Sequence, residues 1–300
     1  MDWMKDDGIF MPMINDTGRN KFYKRAIESS AAGKIVCDIG TGTGLLSILA
    51  IKAGAKHVYA VEQDAGRAVL ARSMFEKLGI TDRITIIEDN FLNTNIRADI
   101  YVSETINTQI FGENIIELAK HARQFGGEFL PGKFEITAQV YKNHPIFCLC
   151  QSRSDAFEFQ PDIAIDPIFE QEINSQFQQA HSLDNTLYRA NVLNGLFTQL
   201  PKFTDLKLIK ISETDPLIVD LNGPINIDAL KITVPWTPTN SNSDVYLVLH
   251  WRAIYKNTVM DVNSTWFGNV SKTILQRCRQ PDLDINIRYD PTIRDWQLSF

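Results

Sequence analysis

The residues of this 300-residue sequence that are best suited to chemistry begin with a glycine-rich segment at 38–44, Asp-Ile-Gly-Thr-Gly-Thr-Gly. Glycines let the backbone turn tightly and let a ligand approach the main chain closely. An acid, Glu62, stands at the end of the next apolar run. In an open α/β sheet, an acid at that place can accept hydrogen bonds from the hydroxyls of a ribose. The pattern therefore predicts a nucleotide-type cofactor site; the alternative is a tight turn that binds nothing.

Two classes of cofactor compete for this glycine-rich segment. Nicotinamide dinucleotides usually need Gly-x-Gly-x-x-Gly, with their pyrophosphate at the start of the following helix. Here the order is Gly40-x-Gly42-x-Gly44, and Asp38 precedes it by two positions. A carboxylate there would repel a pyrophosphate and suit a cationic amino-acid group, which favours S-adenosylmethionine with its ammonium and sulfonium charges. In the alternative interpretation, Asp38 only caps the amides of the turn.

A second candidate chemistry comes from two glutamates, Glu104 and Glu113. Glu104 follows an apolar run at 99–103, and Glu113 precedes a helical pattern at 115–124. Their spacing does not fit one helix face, so a loop that doubles back must bring the carboxylates together. Adjacent carboxylates repel and raise each other's pKa unless a cation lies between them, and a guanidinium is such a cation. The alternative role for Glu113 is to stabilise the helix N-terminus.

The elements that must position these residues alternate in the first part of the chain. Apolar runs predict four strands, at 34–39, 57–61, 83–87 and 99–103. Helical patterns predict three helices, at 45–53, 64–78 and 115–124. This alternation predicts an α/β fold with a Rossmann-like, mostly parallel sheet over residues 1–130. Because ligands bind at the carboxyl ends of the strands in such sheets, the candidate residues fall at the expected edge.

The pattern changes after residue 131. Strand-like runs follow at 134–141, 207–211, 230–234, 245–255 and 285–289. They predict a second domain at 131–300, antiparallel and β-barrel-like. A polar, Gln-rich stretch at about 160–200 has a weak helical pattern and predicts a helical arm inserted between the strands.

Composition and charge exclude several function classes. The net charge is −6 and the isoelectric point is near 5.4, so we expect no nucleic-acid partner. The sequence has no apolar run long enough for a membrane helix, and residues 1–8 carry acids where a signal peptide would be basic and then apolar. The four cysteines form no Cys-x-x-Cys pair and His is scarce, which predicts no metal site and thiols in a reducing cytoplasm.

The glycine-rich segment, together with residues 54–62, resembles the class I S-adenosylmethionine-dependent methyltransferases. Further segments narrow the resemblance to the protein arginine N-methyltransferase family. Asp16-x-x-Arg19-x-x-x-Tyr23 resembles that family's cofactor-covering segment. The stretch from Glu104 to Glu113 resembles its double-glutamate hairpin, and Gly126–Pro131 resembles its junction into a β-barrel domain. The resemblance runs from about residue 10 to residue 145 and weakly beyond.

The resemblance implies S-adenosyl-L-methionine as cofactor and a guanidino nitrogen as methyl acceptor, in an arginine of a protein or peptide or in a small guanidino compound. Glu104 and Glu113 would be the catalytic residues. The cofactor-binding residues would be Arg19 at the methionine carboxylate, Met13 near the methyl group, Asp38, Gly40 and Gly42 along the methionine part, Glu62 at the ribose, and Asp89, Asn90 and Phe91 at the adenine. Alternatively, Met13 is a core residue and Asp89-Asn90 only a turn. By its position, the arm implies a homodimer.

The sequence departs from the family pattern on the acceptor side. The family usually carries Trp, Met, Gly and Tyr between its two acids, whereas residues 105–112 are Thr-Ile-Asn-Thr-Gln-Ile-Phe-Gly. The aromatic that shapes the family's acceptor slot is missing or replaced, and Phe111 is the candidate replacement. The family's Thr-His-Trp is represented by Ser264-Thr265-Trp266, without the histidine. Two alternatives therefore stay open, a non-guanidine acceptor such as an amide or hydroxyl, and an inactive cofactor-binding scaffold.

Overall fold

A parallel sheet occupies the first part of the chain in the computed structural model, which describes residues 17–106, 110–142, 165–182, 209–236, 245–260 and 283–299. Its strands are β1 (Ile35–Ile39), β2 (His57–Val61), β3 (Ile84–Ile87), β4 (Ile100–Ser103) and β5 (Glu128–Leu130). They lie in the order β3-β2-β1-β4-β5, and every neighbouring pair is parallel. The order reverses between β1 and β4, and ligands bind at such a switch point in open α/β sheets.

Helices connect and cover these strands. They are α1 (Thr17–Glu28), α2 (Leu45–Lys52), α3 (Ala65–Lys77) and α4 (Ile115–Arg123). All residues of α2 before Lys52 are buried, because the helix packs between the sheet and α1. Asp64 caps α3 by accepting a hydrogen bond from the backbone amide of Arg67. Both α2 and α3 therefore start at the carboxyl edge of the sheet, beside the loops that follow β1 and β2.

Antiparallel strands make up the rest of the described structure. They are β6 (Lys133–Lys142), β7 (Ile209–Glu213), β8 (Leu217–Asp220), β9 (Lys231–Trp236), β10 (Val245–Tyr255), β11 (Thr258–Val259), β12 (Leu283–Asp290) and β13 (Asp295–Ser299). One sheet has the order β11-β10-β6-β7, with β8 also paired to β6, and a second has the order β13-β12-β9. Alternate residues of β6 are fully buried, namely Phe134, Ile136, Ala138 and Val140, as the sequence pattern predicts.

The helical arm is present as α5 (Pro167–Ser182), between β6 and β7. Its first turns pack against the same chain's own α3, with the side chains of Phe169 and Ile173 fully buried. An ion pair of 2.7 Å between Lys52 and Asp166 ties the start of the arm to α2. The remainder of the predicted arm at 183–200 lies outside the described residues.

The predicted fold class is confirmed: a Rossmann-like parallel sheet is followed by antiparallel, barrel-like strands with a helical insertion. The change from parallel to antiparallel pairing falls between Leu130 and Lys133, while the division into two domains at residue 131 stays a prediction. Helix α1 was not predicted, although its buried residues Phe22, Tyr23, Ala26 and Ile27 have helical spacing. No helix of the described part of the chain is long and apolar enough to cross a membrane.

Candidate active site

A cavity of about 510 Å³ lies at the carboxyl edge of the parallel sheet, beside the switch point between β1 and β4. This volume is in the range of small-molecule sites. The structure brings most of the predicted site residues together on its walls, namely Arg19, Gly40, Gly42, Glu62, Asp89, Asn90, Phe91, Glu104 and Glu113. The two exceptions are Asp38, which lies behind the glycine-rich loop, and Met13, which lies outside the described residues.

Glu62 holds the glycine-rich loop in its conformation. Its Oε2 accepts a hydrogen bond of 2.9 Å from the Gly42 amide, and its Oε1 accepts one of 3.0 Å from the Asp64 amide. The amides of Gly40 and Thr41 both donate to the carbonyl of Val61. Each carboxylate oxygen can accept more than one hydrogen bond, so Glu62 keeps acceptor capacity toward the cavity that it lines. The loop and the acid that follows β2 thus form one hydrogen-bonded wall.

Asp38 supports this loop from the protein interior. Its Oδ2 accepts hydrogen bonds from the hydroxyls of Thr41, at 2.6 Å, and Ser47, at 2.7 Å. Burial raises the pKa of Asp38, and the two hydroxyl hydrogen bonds oppose that increase. Among the described residues, none donates a hydrogen bond to its buried Oδ1. These contacts are those of a residue that braces the turn, and Asp38 is not on the wall of the cavity.

Arg19 and Glu104 form a buried ion pair that the sequence analysis missed. Nη2 of Arg19 donates to Oε2 of Glu104 at 2.7 Å, and the two side chains are only 4% and 6% exposed. Arg19 also donates to the side chain of Asn20, and the Tyr23 hydroxyl donates to the carbonyl of Ser103 at 2.8 Å. Helix α1 is therefore attached to the end of β4 at the point where Glu104 enters the cavity.

Glu113 lines the same cavity as Glu104, and the two residues form the acidic pair. Glu113 is exposed on one side but lines the cavity. Removal of its carboxyl group from water raises its pKa to about 7, the negative charge of Glu104 adds to the increase, and Arg67 opposes it. Among the described residues, no amide at the start of α4 donates to Glu113, so the helix-stabilising alternative has no hydrogen bond in its favour.

The loop at 89–93, which follows β3, contributes to the cavity wall next to Glu62. Asn90 accepts a hydrogen bond from the Leu92 amide, and Asp89 accepts from its neighbours Asn90 and Asn93, so these residues do form a turn. They also line the cavity, as does Phe91, which has a buried side chain. The turn and the cavity-lining position are therefore compatible.

Phe111 lies in the core and not in the cavity. Its ring is fully buried and packs 5.5 Å from the rings of Phe134 and Tyr289 and 6.0 Å from Trp296. The expectation that Phe111 shapes an acceptor slot is therefore wrong, because this apolar ring packs in an aromatic cluster in the core.

The sequence analysis also missed cavity-lining residues, chiefly Arg67, Thr105, Leu118 and Arg294. Residues 107–109 and 264–266 lie outside the described part.

The described ranges contain no candidate metal site. No group of three or more His, Cys, Asp or Glu side chains there is arranged to hold a metal ion. Cys37 is buried in β1, and burial raises its thiol pKa well above the usual range. The other cysteines lie outside the described residues.

Comparisons with known proteins find similarity to methyltransferases. A family model described as ribosomal protein L11 methyltransferase (PrmA) matches residues 24–129. The chain is 32% identical over 163 residues to protein arginine N-methyltransferase 7 of Danio rerio, which covers 48% of this chain and 24% of the relative. It is 29% identical over 221 residues to a probable protein arginine N-methyltransferase 6 of Arabidopsis thaliana, a match that covers 69% of this chain and 48% of that relative. The chain thus spans between a quarter and a half of the length of these relatives.

Solved structures share the fold across nearly the whole chain. A crystal structure of PRMT6 has a TM-score of 0.61 at 18% identity and covers 96% of each chain. A Trypanosoma brucei PRMT1 enzyme-prozyme heterotetrameric complex with AdoHcy has a TM-score of 0.62 at 18% identity and covers 98% of this chain and 93% of that one. These matches confirm the predicted resemblance in sequence and in fold.

Proposed function

We propose that this chain is an S-adenosylmethionine-dependent N-methyltransferase that modifies a guanidino nitrogen, in an arginine of a protein or peptide or in a small guanidino compound. The observation that carries the proposal is the placement of the acidic pair on the wall of the same cavity as the glycine-rich loop and Glu62. The similarity to arginine methyltransferases supports the acceptor class.

The cavity suits S-adenosylmethionine in size and in the chemistry of its walls. Glu62 would accept hydrogen bonds from the ribose hydroxyls, and the loop at 89–91 would border the adenine. Gly40 and Gly42 would border the methionine part, and Asp38 would support it indirectly by holding the loop from behind. A guanidinium has five N–H donors, so Arg19 can bind Glu104 and also the methionine carboxylate. When bound, the cofactor supplies a methyl group on a positively charged sulfur.

The acidic pair explains how a guanidinium could be made reactive. A guanidinium is a poor nucleophile because its lone pairs are delocalised over three nitrogens. Hydrogen bonds from two of its nitrogens to Glu104 and Glu113 would draw positive charge toward those nitrogens and leave electron density on the third. Holding the reacting atoms in line lowers the barrier further, by on the order of 7–11 kcal/mol in well-oriented systems. Glu113, with a pKa of about 7, is suited to accept the proton that the guanidinium releases.

Incubation with isotope-labelled S-adenosylmethionine tests the proposal. We would supply native lysate, arginine-containing peptides and free arginine, and locate the label by mass spectrometry. The proposal expects the label on a guanidino nitrogen. A label on an amide or hydroxyl group would favour the second function class, whose motivation is the divergent 105–112 loop. Heat of cofactor binding in calorimetry, with no methylated product from any source, would favour the scaffold.

The pKa of Glu113 predicts a pH dependence. Below about pH 7 the free protein carries Glu113 in its neutral form, so the acidic pair binds a guanidinium less strongly. We expect kcat/KM to rise by about tenfold per pH unit below about pH 7 and to level off above it. The Glu113→Gln variant should lose this inflection. A flat profile for the unchanged protein from about pH 6 to about pH 8 would contradict the role assigned to Glu113.

We further propose a homodimer in the cytoplasm. The position of the arm between β6 and β7 supports the dimer, and the structural neighbour from Trypanosoma brucei is described as an enzyme-prozyme heterotetrameric complex. The start of the arm nevertheless packs on its own chain through Phe169 and Ile173. Light scattering at several concentrations should give twice the chain mass of 34.1 kDa. A single species of monomer mass at all concentrations would exclude the dimer.

A further inference from the structure

Arg294 brings a positive charge to the wall of the cavity that contains the acidic pair. It lies in the turn at 291–294, which connects β12 to β13, and it is exposed. Among the described residues, none forms an ion pair or a hydrogen bond with its guanidinium. The other arginines on the cavity wall differ, because Arg19 is bound to Glu104 and Arg67 lies close enough to Glu113 to lower its pKa. Arg294 is thus a cation without a direct ion-pair partner in the described part of the chain, at the edge of an anionic site.

The β12–β13 hairpin holds Arg294 at a defined place. Arg294 has a positive φ of 55°, and the Thr292 amide donates to the side chain of Asp290 at 2.8 Å, which closes the turn. Below the turn, Tyr289 and Trp296 pair across the two strands, and both rings contact Phe111. Phe111 lies two positions before Glu113, so the turn with Arg294 borders the Glu113 end of the cavity.

This placement has a consequence for the acceptor. The guanidinium of Arg294 would repel an acceptor's guanidinium as it enters the cavity toward the acidic pair, because like charges repel. An acceptor that carries a carboxylate near its guanidinium would instead gain a charge-assisted contact, and guanidinium and carboxylate match in geometry. The cavity edge therefore distinguishes acceptors by the charge next to the methylated group.

We propose that Arg294 is a specificity-determining residue that binds an anionic group which the acceptor carries beside its guanidinium. This inference rests on the proposed function and adds the substrate class to it. The carboxylate can come from an acidic residue next to the target arginine in a peptide, or from the acceptor's own carboxyl group in a free guanidino acid. Both sources present the same chemistry to Arg294.

Two peptides test the proposal directly. They have equal length and one arginine, with glutamate at the neighbouring positions in one and glutamine in the other. We would titrate each into the cofactor-free chain by calorimetry and also measure kcat/KM. The glutamate peptide should bind and react about 1.5-fold to fivefold better, the range expected of an exposed ion pair. In Arg294→Ala this ratio should fall to about one, and in Arg294→Lys part of it should return.

Matched controls separate this role from others. Arg288 lies on the same hairpin, is exposed, and pairs with Asp228 away from the cavity, so Arg288→Ala should keep the full ratio. Free arginine compared with its amide tests the small-molecule source in the same way. A glutamate-to-glutamine ratio near one in the unchanged protein, with an equal result for free arginine and its amide, would overturn the inference and leave the proposed function intact.

Two further outcomes are also decisive. If Arg294→Ala weakens S-adenosylmethionine binding and leaves the acceptor ratios unchanged, Arg294 belongs to the cofactor and the inference fails. If no guanidino acceptor of any charge is methylated, the proposed function itself fails, and the inference with it. Equal unfolding midpoints of Arg294→Ala and the unchanged protein confirm that the variant is folded, as expected for an exposed turn residue.

Discussion

Replacing Glu104 with glutamine should reduce methyl transfer by about a hundredfold to a thousandfold while S-adenosylmethionine still binds, because loss of one charge-stabilising group at a reacting centre has effects of this size. Glu104 is the buried member of the acidic pair, with its side chain 6% exposed. A neutral amide in its place can still accept a hydrogen bond but no longer draws charge from a bound guanidinium. The measurement is kcat with labelled cofactor, with the cofactor Kd measured by calorimetry.

The ion pair with Arg19 makes a stability control necessary for this variant. Removing one partner of a buried pair leaves the other charge uncompensated, which costs about 3–5 kcal/mol, so Glu104→Gln should also lower the free energy of unfolding in urea. The double variant Glu104→Gln with Arg19→Gln should recover part of that loss and none of the activity. Glu117→Gln, an exposed substitution on α4, serves as the matched control with unchanged transfer. Transfer by Glu104→Gln within tenfold of normal would contradict the catalytic role.

The second large effect is expected for Gly44→Ala, at the N-cap residue just before α2. Gly44 has a positive φ of 85°, and a Cβ there would lie 2.5 Å from Cε1 and 2.8 Å from Cζ of Phe75. The left-handed conformation costs a non-glycine residue about 1–2 kcal/mol, and forced overpacking adds about 1–3 kcal/mol. We expect a loss of about 2–5 kcal/mol in the free energy of unfolding, measured in urea, together with weaker cofactor binding.

Gly33→Ala is the matched control for this substitution. Gly33 also has a positive φ, of 70°, but no atom lies within 4 Å of the added Cβ. It should therefore lose only the backbone contribution of about 1–2 kcal/mol. Adding Phe75→Leu to Gly44→Ala should reduce the extra loss, since the smaller side chain removes the clash. Equal destabilisation by Gly44→Ala and Gly33→Ala would show that the Phe75 side chain moves away from the added Cβ at no cost in stability.

The first half of the fold could be predicted because its signals are local. The apolar runs that became β1 and β4 are buried on both faces apart from Ile35 at the start of β1, and such strands are continuous in sequence. Asp64 is a helix-capping residue at the start of a helical pattern, and the structure shows it in that role. Because parallel strands end at one edge, Glu62 and Glu104 could be expected near each other before their contacts were known.

The parts that could not be predicted depend on contacts between distant residues. Arg19 and Glu104 are 85 positions apart, and no local pattern indicates that they pair. Arg294 reaches the cavity only because β13 folds back on β12, and the short β13 gives little strand signal. Phe111 looks like a candidate slot residue in sequence, since only the packing of Tyr289 and Trp296 around it shows that it belongs to the core.

The aromatic cluster around Phe111 contains a tryptophan whose fluorescence can report on the state of the site. Trp296 is completely buried against Phe111 and Tyr289, and Phe111 shares a loop with Glu113. The emission of a buried indole changes in wavelength and intensity when its immediate packing changes. A shift of the acidic loop on ligand capture would therefore reach the fluorescence of Trp296. A chain in which phenylalanine replaces the other four of its five tryptophans would record that event in real time, without a label.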